Sequence, residues 1–269
     1  MTPTGQKAAT VQPNAMTKQG PPGEIALDLP REKLPRHIAV IMDGNGRWAQ
    51  RRGLPRIEGH RRGVAAVRRI VETCARWQIE YLTLFCFSSE NWKRPSAEWE
   101  ALMCLLEQFV VEERRRIMEQ NIRMRFFGRR EGLPPGVLRE LDKTVAFSEA
   151  NTGLTLCLAI NYGGRAELVD AVKRIAEQVA TGQLSIDQID DEQIAANLYT
   201  AGIPDPDLLI RTAGEMRISN FLLWQISYAE LWVTRDFWPD FTEVHLREAL
   251  RAFACRDRRF GGLKCGDSL

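Results

Sequence analysis

Short apolar segments alternate with longer amphipathic ones from residue 37 to residue 254. Six segments rich in β-branched and aromatic residues have the length of buried strands, at residues 37–42, 81–87, 122–128, 154–160, 207–211 and 230–234. Between them, apolar residues recur every three or four positions, which predicts helices over residues 64–78, 97–119, 136–150, 165–181, 191–199 and 243–254. This alternation predicts an α/β fold: a single domain with a mostly parallel six-stranded sheet flanked by helices.

The beginning of the chain does not continue this pattern. Residues 1–30 contain five prolines and no apolar stretch of the kind found in signal peptides. We therefore predict a disordered tail at residues 1–34 and a folded domain at residues 35–269. The longest apolar segments are far shorter than the ~20 residues that cross a bilayer as a helix, which favours a cytoplasmic protein.

Composition excludes several classes of protein. With 44% hydrophobic and 27% charged residues among 269, the chain is neither collagen-like nor disordered. A formal net charge of +2 argues against a nucleic-acid partner. The six cysteines include no CxxC pair, and the three histidines have no metal-ligand spacing. These counts indicate reduced, packing cysteines in a cytosolic protein without a zinc site.

Glycines, arginines and small polar residues follow four of the predicted strands, at residues 43–47, 88–94, 161–165 and 211–217. The carboxyl ends of parallel strands lie at one edge of a sheet, where α/β proteins bind ligands. Glycine turns let backbone N–H groups approach an anion, and arginines bind phosphate through two hydrogen bonds. The four segments together predict a phosphate-binding site.

Asp43 stands among these anion-binding groups. It is either an ordinary turn residue or a ligand of Mg²⁺, which proteins hold with few carboxylates plus substrate phosphates; the second interpretation is favoured. Eight arginines and a single acidic residue occupy residues 44–69. Arg47 and Arg56 flank the glycine turn and are assigned to phosphate, while most of the others form a solvated helix face. His60 is either a surface or capping residue or a phosphate ligand.

Two other functions fit parts of the sequence. Gly44-x-Gly46-x-x-Ala49 matches the dinucleotide pattern of a nicotinamide-dependent dehydrogenase. That fingerprint also needs an acidic residue about 20 positions later, at the end of the second strand, and here an arginine-rich helix occupies that interval. The arginines at residues 47–69 would also suit a nucleic-acid-binding module, against which the near-neutral net charge counts.

Five long segments, in the same order, resemble the bacterial cis-prenyltransferases, the family of the undecaprenyl diphosphate synthases. The segments are HIAVIMDGNGRWAQRRGLPRIEGHRRG (37–63), FSSENWKRP (87–95), NTGLTLCLAINYGGR (151–165), RTAGEMRISNFLLWQISYAELWV (211–233) and RDRRFGG (256–262). The resemblance extends from about residue 35 to the C-terminus. It implies that residues 35–269 form a catalytic domain of the cis-prenyltransferase fold, with a hydrophobic tunnel.

The resemblance also implies a reaction. Isopentenyl diphosphate would be condensed repeatedly onto an allylic diphosphate such as farnesyl diphosphate, with Mg²⁺ assisting departure of the diphosphate. The expected product is undecaprenyl diphosphate, a precursor of the lipid carrier for cell-wall glycans, or a cis-polyprenyl diphosphate of another length. A homodimer and transient membrane contact without insertion are expected as well.

Roles for individual residues follow from the same resemblance. Asp43 would be the central catalytic residue and would hold the metal together with Glu230. Asn91 would accept the proton, although a neutral amide is a weak base that needs a relay through water or diphosphate. The matching substrate-binding residues are Gly44, Asn45, Gly46, Arg47, Trp48, Arg56, His60, Ser88, Ser89, Glu90, Trp92, Arg94, Arg211, Arg217, Ile218 and Ser219. Met216 stands where some relatives carry His, so acid–base chemistry is not expected there.

Apolar residues fit either the tunnel or an ordinary core. The candidates for the tunnel lining are Val64, Cys86, Leu102, Leu106, Ile122, Leu154 and Ile160. In the expected dimer, residues 258–262 would extend toward the partner's diphosphate site. The large aromatic residues near the C-terminus suit a core or an interface equally, namely Trp224, Trp232, Phe237 and Trp238.

Overall fold

Six strands lie parallel to one another in a single sheet. The structure is a computed structural model that describes residues 26–258, and its strands follow the spatial order β3-β4-β2-β1-β5-β6. Their bounds are β1 His37–Ile41, β2 Tyr81–Ser88, β3 Arg123–Phe127, β4 Thr155–Tyr162, β5 Leu208–Arg211 and β6 Glu230–Val233. The predicted six-stranded α/β domain is confirmed, and every described strand pair is parallel rather than most of them.

Seven α-helices connect and cover these strands in the described part of the chain. They are α1 Asn45–Gln50, α2 Arg56–Arg76, α3 Ser96–Glu119, α4 Pro135–Ser148, α5 Gly164–Ala180, α6 Asp191–Asn197 and α7 Glu243–Ala254. Six of them match predicted helices, although α2 begins eight residues before the predicted one. Helix α1 was not predicted, because six residues with the sequence NGRWAQ are too short and too polar to show an apolar period.

The sheet separates two apolar clusters. The larger cluster lies beneath α2, α3, α4 and α7, where fully buried side chains such as Ile70, Leu141 and Leu246 meet Leu82 and Leu156 of the strands. The smaller cluster packs the other face of the sheet against the segment that contains Phe221 and Leu222. Because both faces are covered, the strands contain almost continuous apolar residues instead of an alternating pattern.

The strand order reverses between β1 and β5. From β1 the chain proceeds to β2, β3 and β4 on one side, and then crosses to β5 on the other side of β1. A crevice forms beyond the carboxyl ends of the strands at such a reversal, and α/β proteins bind ligands there. Asp43 follows β1 and Arg211 ends β5, so both residues lie at this position.

The predicted tail falls partly outside the described residues. Residues 1–25 lie outside them, as do residues 259–269. Residues 26–34 differ from the prediction, because Leu27, Leu29 and Leu34 pack against the larger cluster and Asp28 forms an ion pair with Arg251 at 2.5 Å. Between residues 26 and 258, no helix is both long and apolar enough to cross a membrane.

His37 is a buried histidine in the first strand. Its Nδ1 lies 2.6 Å from the carbonyl oxygen of Pro204, and its Nε2 lies 2.7 Å from Oγ1 of Thr83. A carbonyl can only accept, so Nδ1 carries the proton and Nε2 accepts from the threonine hydroxyl. Burial disfavours the charged imidazolium and lowers the pKa of His37 to about 4, despite the hydrogen bond to Pro204.

Acid should therefore destabilise this domain through His37. His37 takes up a proton near pH 6.5 in the unfolded chain but only near pH 4 in the folded one. The free energy of unfolding is therefore highest above the unfolded pKa and decreases as the pH falls toward the folded pKa. From pH 7 to about pH 5, His37 should contribute a loss of about 2 kcal/mol. Urea unfolding of the wild type and of His37→Gln at both pH values measures it; an equal loss in both proteins would contradict the prediction.

Candidate active site

A cavity of about 550 Å³ opens at the carboxyl ends of β1, β2 and β5. Its polar wall is formed by residues that follow these strands or stand in α2: Asp43, Asn45, His60, Ser88, Glu90, Asn91, Arg94, Arg217, Ser219 and Asn220. A second cavity of about 300 Å³ adjoins it and is lined by Gly44, Gly46, Arg47, Arg56 and Glu215 as well as by shared residues. The predicted convergence of separate loops is therefore observed. The edge of the two cavities, here called the rim, carries mainly guanidinium groups, those of Arg47, Arg56, Arg94 and Arg217.

The guanidinium of Arg211 connects the two central loops. Its side chain is only 3% exposed. Nη2 donates to Oδ2 of Asp43 at 2.9 Å, and Nη1 donates to Oγ of Ser219 at 2.8 Å and to the carbonyl oxygen of Arg217. Arg211 thus fixes the loop after β5 against the residue after β1.

Asp43 carries a negative charge at neutral pH. Burial raises the pKa of this carboxyl, but the hydrogen bond from Arg211 and the charge of Arg47, at 3.1 Å, outweigh burial and leave the pKa below its ordinary value. The backbone N–H of Gly44 also donates to Oδ1 at 2.6 Å. The carboxylate remains partly exposed toward the cavity.

Glycines allow α1 to lie directly on α2. A Cβ atom on Gly59 would be 1.9 Å from the carbonyl oxygen of Asn45, and one on Gly63 would be 2.4 Å from Oδ1 of Asn45. Gly44 itself has φ of +97°, and its missing side chain leaves room for the ring of Phe237. The turn that carries Asp43 is therefore positioned by close backbone packing that side chains would prevent.

Two carboxylates each bridge a pair of rim arginines. Glu215 accepts from Arg47 at 2.7 Å and from Arg217 at 2.5 Å. Glu98 accepts from Arg94 at 2.9 Å and from Arg56 at 3.3 Å. Neither carboxylate was predicted to be part of the site. The cluster of arginines was the signal that could have indicated them, since clustered guanidiniums need counter-charges to stay close together.

Comparison with known proteins identifies the family. Residues 41–261 match the family model described as "Putative undecaprenyl diphosphate synthase". An "Isoprenyl transferase" of Rhodopirellula baltica is 58% identical over 233 residues, which are 87% of this chain and 96% of that protein. The chain belongs to the undecaprenyl diphosphate synthase family. The predicted resemblance is confirmed, and nothing supports the dehydrogenase interpretation of Gly44-x-Gly46-x-x-Ala49.

Other members of the family agree in sequence and in fold. An "Isoprenyl transferase" of Heliobacterium mobile is 48% identical over 262 residues, 97% of both chains. The crystal structure of lavandulyl diphosphate synthase from Lavandula x intermedia, in complex with dimethylallyl diphosphate, superposes with a TM-score of 0.84 at 37% identity and covers 86% of this chain and 99% of that one. The crystal structure of a probable undecaprenyl diphosphate synthase from Campylobacter jejuni superposes with a TM-score of 0.71 at 32% identity and covers 84% of this chain and 98% of that one.

The segment at residues 88–94 forms a short 3₁₀ helix beside the cavity. Oδ1 of Asn91 accepts from the backbone N–H of Ser88 at 3.1 Å, which closes a capping box at the start of this helix. Nε1 of Trp92 donates to Oδ1 of Asn161 at 2.7 Å. Asn91 therefore faces the cavity while its carboxamide oxygen is already engaged.

His60 lies between the polar and apolar regions of the cavity. Burial and the charges of Arg94 and Arg56 lower the pKa of this imidazole to about 4, against the opposing effect of Glu98. The ring is neutral at pH 7, and its buried Nε2 has no hydrogen-bond partner within residues 26–258. Of the two predicted roles, a ligand contact suits this position better than a surface role.

An apolar cavity of about 110 Å³ continues from the polar rim between α2, α3 and the sheet. Four predicted tunnel residues line it, namely Val64, Cys86, Leu102 and Leu106. Ile122 lines a smaller space of about 20 Å³. Phe109 borders both this space and the apolar cavity. Leu154 and Ile160 are buried in the larger cluster and line neither space, so of the two alternatives predicted for them the ordinary core is the one observed.

Glu230 does not lie near Asp43 within one chain. It begins β6, pairs with Leu208 at the amino end of β5, and accepts from Arg256 at 2.5 Å. Asp43 follows Ile41, which pairs with Arg211 at the opposite end of β5. Three residue steps separate the two ends, roughly 10 Å along the strand. The predicted strand at residues 230–234 already begins with Glu230, so the sequence places this residue at the amino end of the strand, and its metal role stays a prediction.

Other predicted residues have separate positions. Trp48 donates to Asp240 at 2.8 Å and does not line the cavities described above. Ile218 lines a neighbouring space of about 370 Å³ together with Arg165.

Phe237 and Trp238 are buried, and Trp232 packs against the larger cluster, so these aromatic residues belong mainly to the core. Of residues 258–262 only Arg258 is described; it pairs with Asp207 of its own chain.

Gly59→Ala should disturb the site through α1. The new Cβ would overlap the backbone of Asn45, and overpacking of this kind typically costs about 1–3 kcal/mol. Gly136→Ala is the matched control, because Gly136 is also helical and its new Cβ would meet only the mobile carboxylate of Glu107, at 3.0 Å. Urea unfolding should show a loss for Gly59→Ala alone; equal midpoints for both variants would contradict this packing.

Proposed function

We propose that this protein condenses isopentenyl diphosphate repeatedly onto an allylic diphosphate and releases a long cis-polyprenyl diphosphate. As a member of the family identified above, it is a prenyltransferase. One observation carries the finer proposal: a rim of guanidinium groups leads directly into an apolar cavity between α2 and α3. A diphosphate head group and a hydrocarbon tail need these two environments side by side.

The two halves of the rim would bind different head groups. Arg47, Arg56 and the turn at Gly44 surround the smaller polar cavity, which suits the allylic diphosphate because it also borders the entrance to the apolar cavity. Arg211, Arg217 and Ser219 would bind isopentenyl diphosphate. A related enzyme of known structure was solved in complex with dimethylallyl diphosphate, which supports an allylic diphosphate as a substrate class for this protein.

Asp43 fits a magnesium ion that is shared with substrate. Its carboxylate is ionised and partly exposed toward the cavity. Within residues 26–258 no group of three or more His, Cys, Asp or Glu side chains could hold a metal, so an all-protein cage does not fit, whereas one carboxylate plus phosphate oxygens is the usual arrangement for Mg²⁺. Bound there, Mg²⁺ would neutralise charge on the departing diphosphate.

The residues of the chain would orient the reacting groups. The allylic C–O bond breaks and its electron pair leaves with the diphosphate, while the double bond of isopentenyl diphosphate forms the new C–C bond and a proton then leaves the adjacent carbon. Arg47 and Arg56 stabilise the negative charge of the leaving diphosphate. Asn91 is a weak base whose oxygen is already engaged by Ser88, so the diphosphate is the better final acceptor of the proton, with Asn91 orienting the group that transfers it.

Incubation with farnesyl diphosphate, labelled isopentenyl diphosphate and Mg²⁺, followed by product sizing, tests the proposal directly. We infer undecaprenyl diphosphate as the product, because the matching family model is described as "Putative undecaprenyl diphosphate synthase" and a solved relative is a probable undecaprenyl diphosphate synthase. Absence of any chain elongation would contradict the proposal. A cytoplasmic homodimer that contacts the membrane to release product is part of the same inference.

Asp43→Asn should lower turnover by about 10²-fold or more, because it removes the charge that would hold the metal while keeping a similar shape. The magnesium concentration for half-maximal rate should rise in parallel. Asp142→Asn is the control, since Asp142 pairs with Arg130 on the surface and exposed ion pairs contribute little. Wild-type turnover and metal dependence in Asp43→Asn would refute the assignment.

Phe109→Ala should lengthen the product. Phe109 borders both the apolar cavity and the smaller space beyond it, so truncation joins the two and extends the room for hydrocarbon. Phe127→Ala is the matched control, because Phe127 is similarly buried on the opposite face of the sheet. Both variants lose core packing, about 3–5 kcal/mol, but only the first should shift the chain-length distribution. Identical distributions would contradict this role.

A further inference from the structure

Three loops of the rim meet at the side chain and backbone of Asn220. Its carbonyl oxygen accepts from the N–H of Gly164 at 2.7 Å, and its Oδ1 accepts from the N–H of Arg165 at 2.9 Å. Its Nδ2 donates to Oε1 of Glu90 at 2.7 Å. Asn220 therefore joins the loop after β5 to the loop after β4 and to the segment after β2, using both ends of its carboxamide.

Gly163 lets the side chains of Ser89 and Asn220 pack closely against its backbone. A Cβ atom on Gly163 would be 2.5 Å from Oγ of Ser89 and 2.8 Å from Nδ2 of Asn220. Asn220 has φ of 60° and Ser219 has φ of 49°, in the left-handed region that asparagine tolerates better than most residues. A short carboxamide in this conformation can accept on one side and donate on the other.

Asn220 continues a series of contacts that begins at Asp43. Arg211 binds Asp43 and also the hydroxyl of Ser219, the residue before Asn220. On the other side, Glu90 belongs to the same short 3₁₀ helix as Asn91 and Trp92. Burial raises the pKa of Glu90, but the hydrogen bond from Asn220 and other hydrogen bonds outweigh it, so the carboxylate is ionised.

We propose that Asn220 is a positioning residue, which sets the geometry of the isopentenyl diphosphate loop at Arg217 and Ser219 relative to the 88–94 segment through its hydrogen bond to Glu90. This inference rests on the proposed function. Asn220 itself lines the cavity of about 550 Å³, yet its three polar bonds go to protein groups, so it acts through the loops that it connects.

Asn220→Asp separates this role from general stability. The substitution keeps the size of the side chain, the acceptor for Arg165 and the tolerance of a left-handed backbone. It removes the donor to Glu90 and places two carboxylates in contact. At pH 8 we expect the KM for isopentenyl diphosphate to rise at least tenfold, with little change in the KM for farnesyl diphosphate.

The defect should depend on pH. Two adjacent carboxylates raise the pKa of one of them, so acidification toward pH 6 should restore a shared hydrogen bond and bring the ratio of variant to wild-type KM back toward one. Other charged groups face this pair: Arg165 in α5, Arg217 in the β5 loop, and Asp43, Arg94 and His60 across the cavity. Of these, only a histidine normally titrates near this range, and the pKa of His60 is about 4.

A second change tests the same bond from the other side. Glu90→Gln supplies a donor, so the combination Asn220→Asp with Glu90→Gln re-forms the hydrogen bond with its direction reversed. We expect the double variant to have a lower KM for isopentenyl diphosphate than Asn220→Asp alone, and to lose the dependence on pH. Recovery of this kind would not occur if Asn220 merely stabilised the fold.

Asn121→Asp is the matched control. Asn121 also has a left-handed backbone, with φ of 54°, and its carbonyl oxygen accepts from Gly153 at 2.9 Å. Its Oδ1 accepts from Thr152 and its Nδ2 donates to the same residue, both at 3.0 Å. It repeats the geometry of Asn220 away from the cavity, so Asn121→Asp should leave both KM values unchanged.

The outcomes separate this inference from the proposed function. Elongation by the wild-type protein tests the proposed function by itself. With that activity present, an unchanged KM in Asn220→Asp, or a defect that neither acid nor Glu90→Gln relieves, overturns the positioning role. If Asn220→Asp does not fold, Glu90→Met removes the same bond from the exposed side, and it must then raise the KM for isopentenyl diphosphate selectively or the inference fails.

Discussion

The ion pair between the buried guanidinium of Arg211 and the partly exposed carboxylate of Asp43 is the constraint on which the site depends. A guanidinium that is 3% exposed needs a counter-charge and hydrogen-bond acceptors. Here a carboxylate, a hydroxyl and a carbonyl accept from its two Nη atoms, while its buried Nε has no hydrogen-bond partner within residues 26–258. Because the pair bridges β1 and β5 at the reversal of strand order, it fixes both central loops at once. Removing one partner of such a pair typically costs about 3–5 kcal/mol.

The rim is already arranged for an anion before one binds. Like charges would push Arg47, Arg217, Arg56 and Arg94 apart, and the intervening carboxylates hold them instead at hydrogen-bonding distance. A diphosphate can replace these contacts without reorganising the guanidiniums, which is the physical meaning of preorganisation. The neutral state of His60 keeps a donor or acceptor at the entrance to the apolar cavity without adding another buried positive charge.

The sequence predicted the features that depend on hydrophobic periodicity and on which residues follow the end of each strand. Buried strands and amphipathic helices leave regular patterns, and parallel strands place their following residues at one edge, so the convergence of Asp43 with Arg211 was predictable. Glu98, Glu215 and Asn220 were not assigned, since their roles arise from pairing across elements distant in sequence. Glu230 stays a predicted metal ligand, because a motif match transfers a role without its geometry; the structure shows that Glu230 begins β6, away from Asp43.

The apolar cavity is small for a polyprenyl chain, and its walls explain how it can enlarge. Its volume is about 110 Å³. The lining residues Val64, Val67, Leu102 and Leu106 are only partly buried, whereas Leu82 and Leu84 of the neighbouring strand are completely buried. Room for hydrocarbon in the proposed reaction would therefore come from rearrangement of these partly buried side chains, while the sheet and the ion pair of Arg56 with Glu98 stay in place. Weak packing on one side of the cavity and dense packing on the other would let the proposed product grow while the residues proposed to bind diphosphate stay in place.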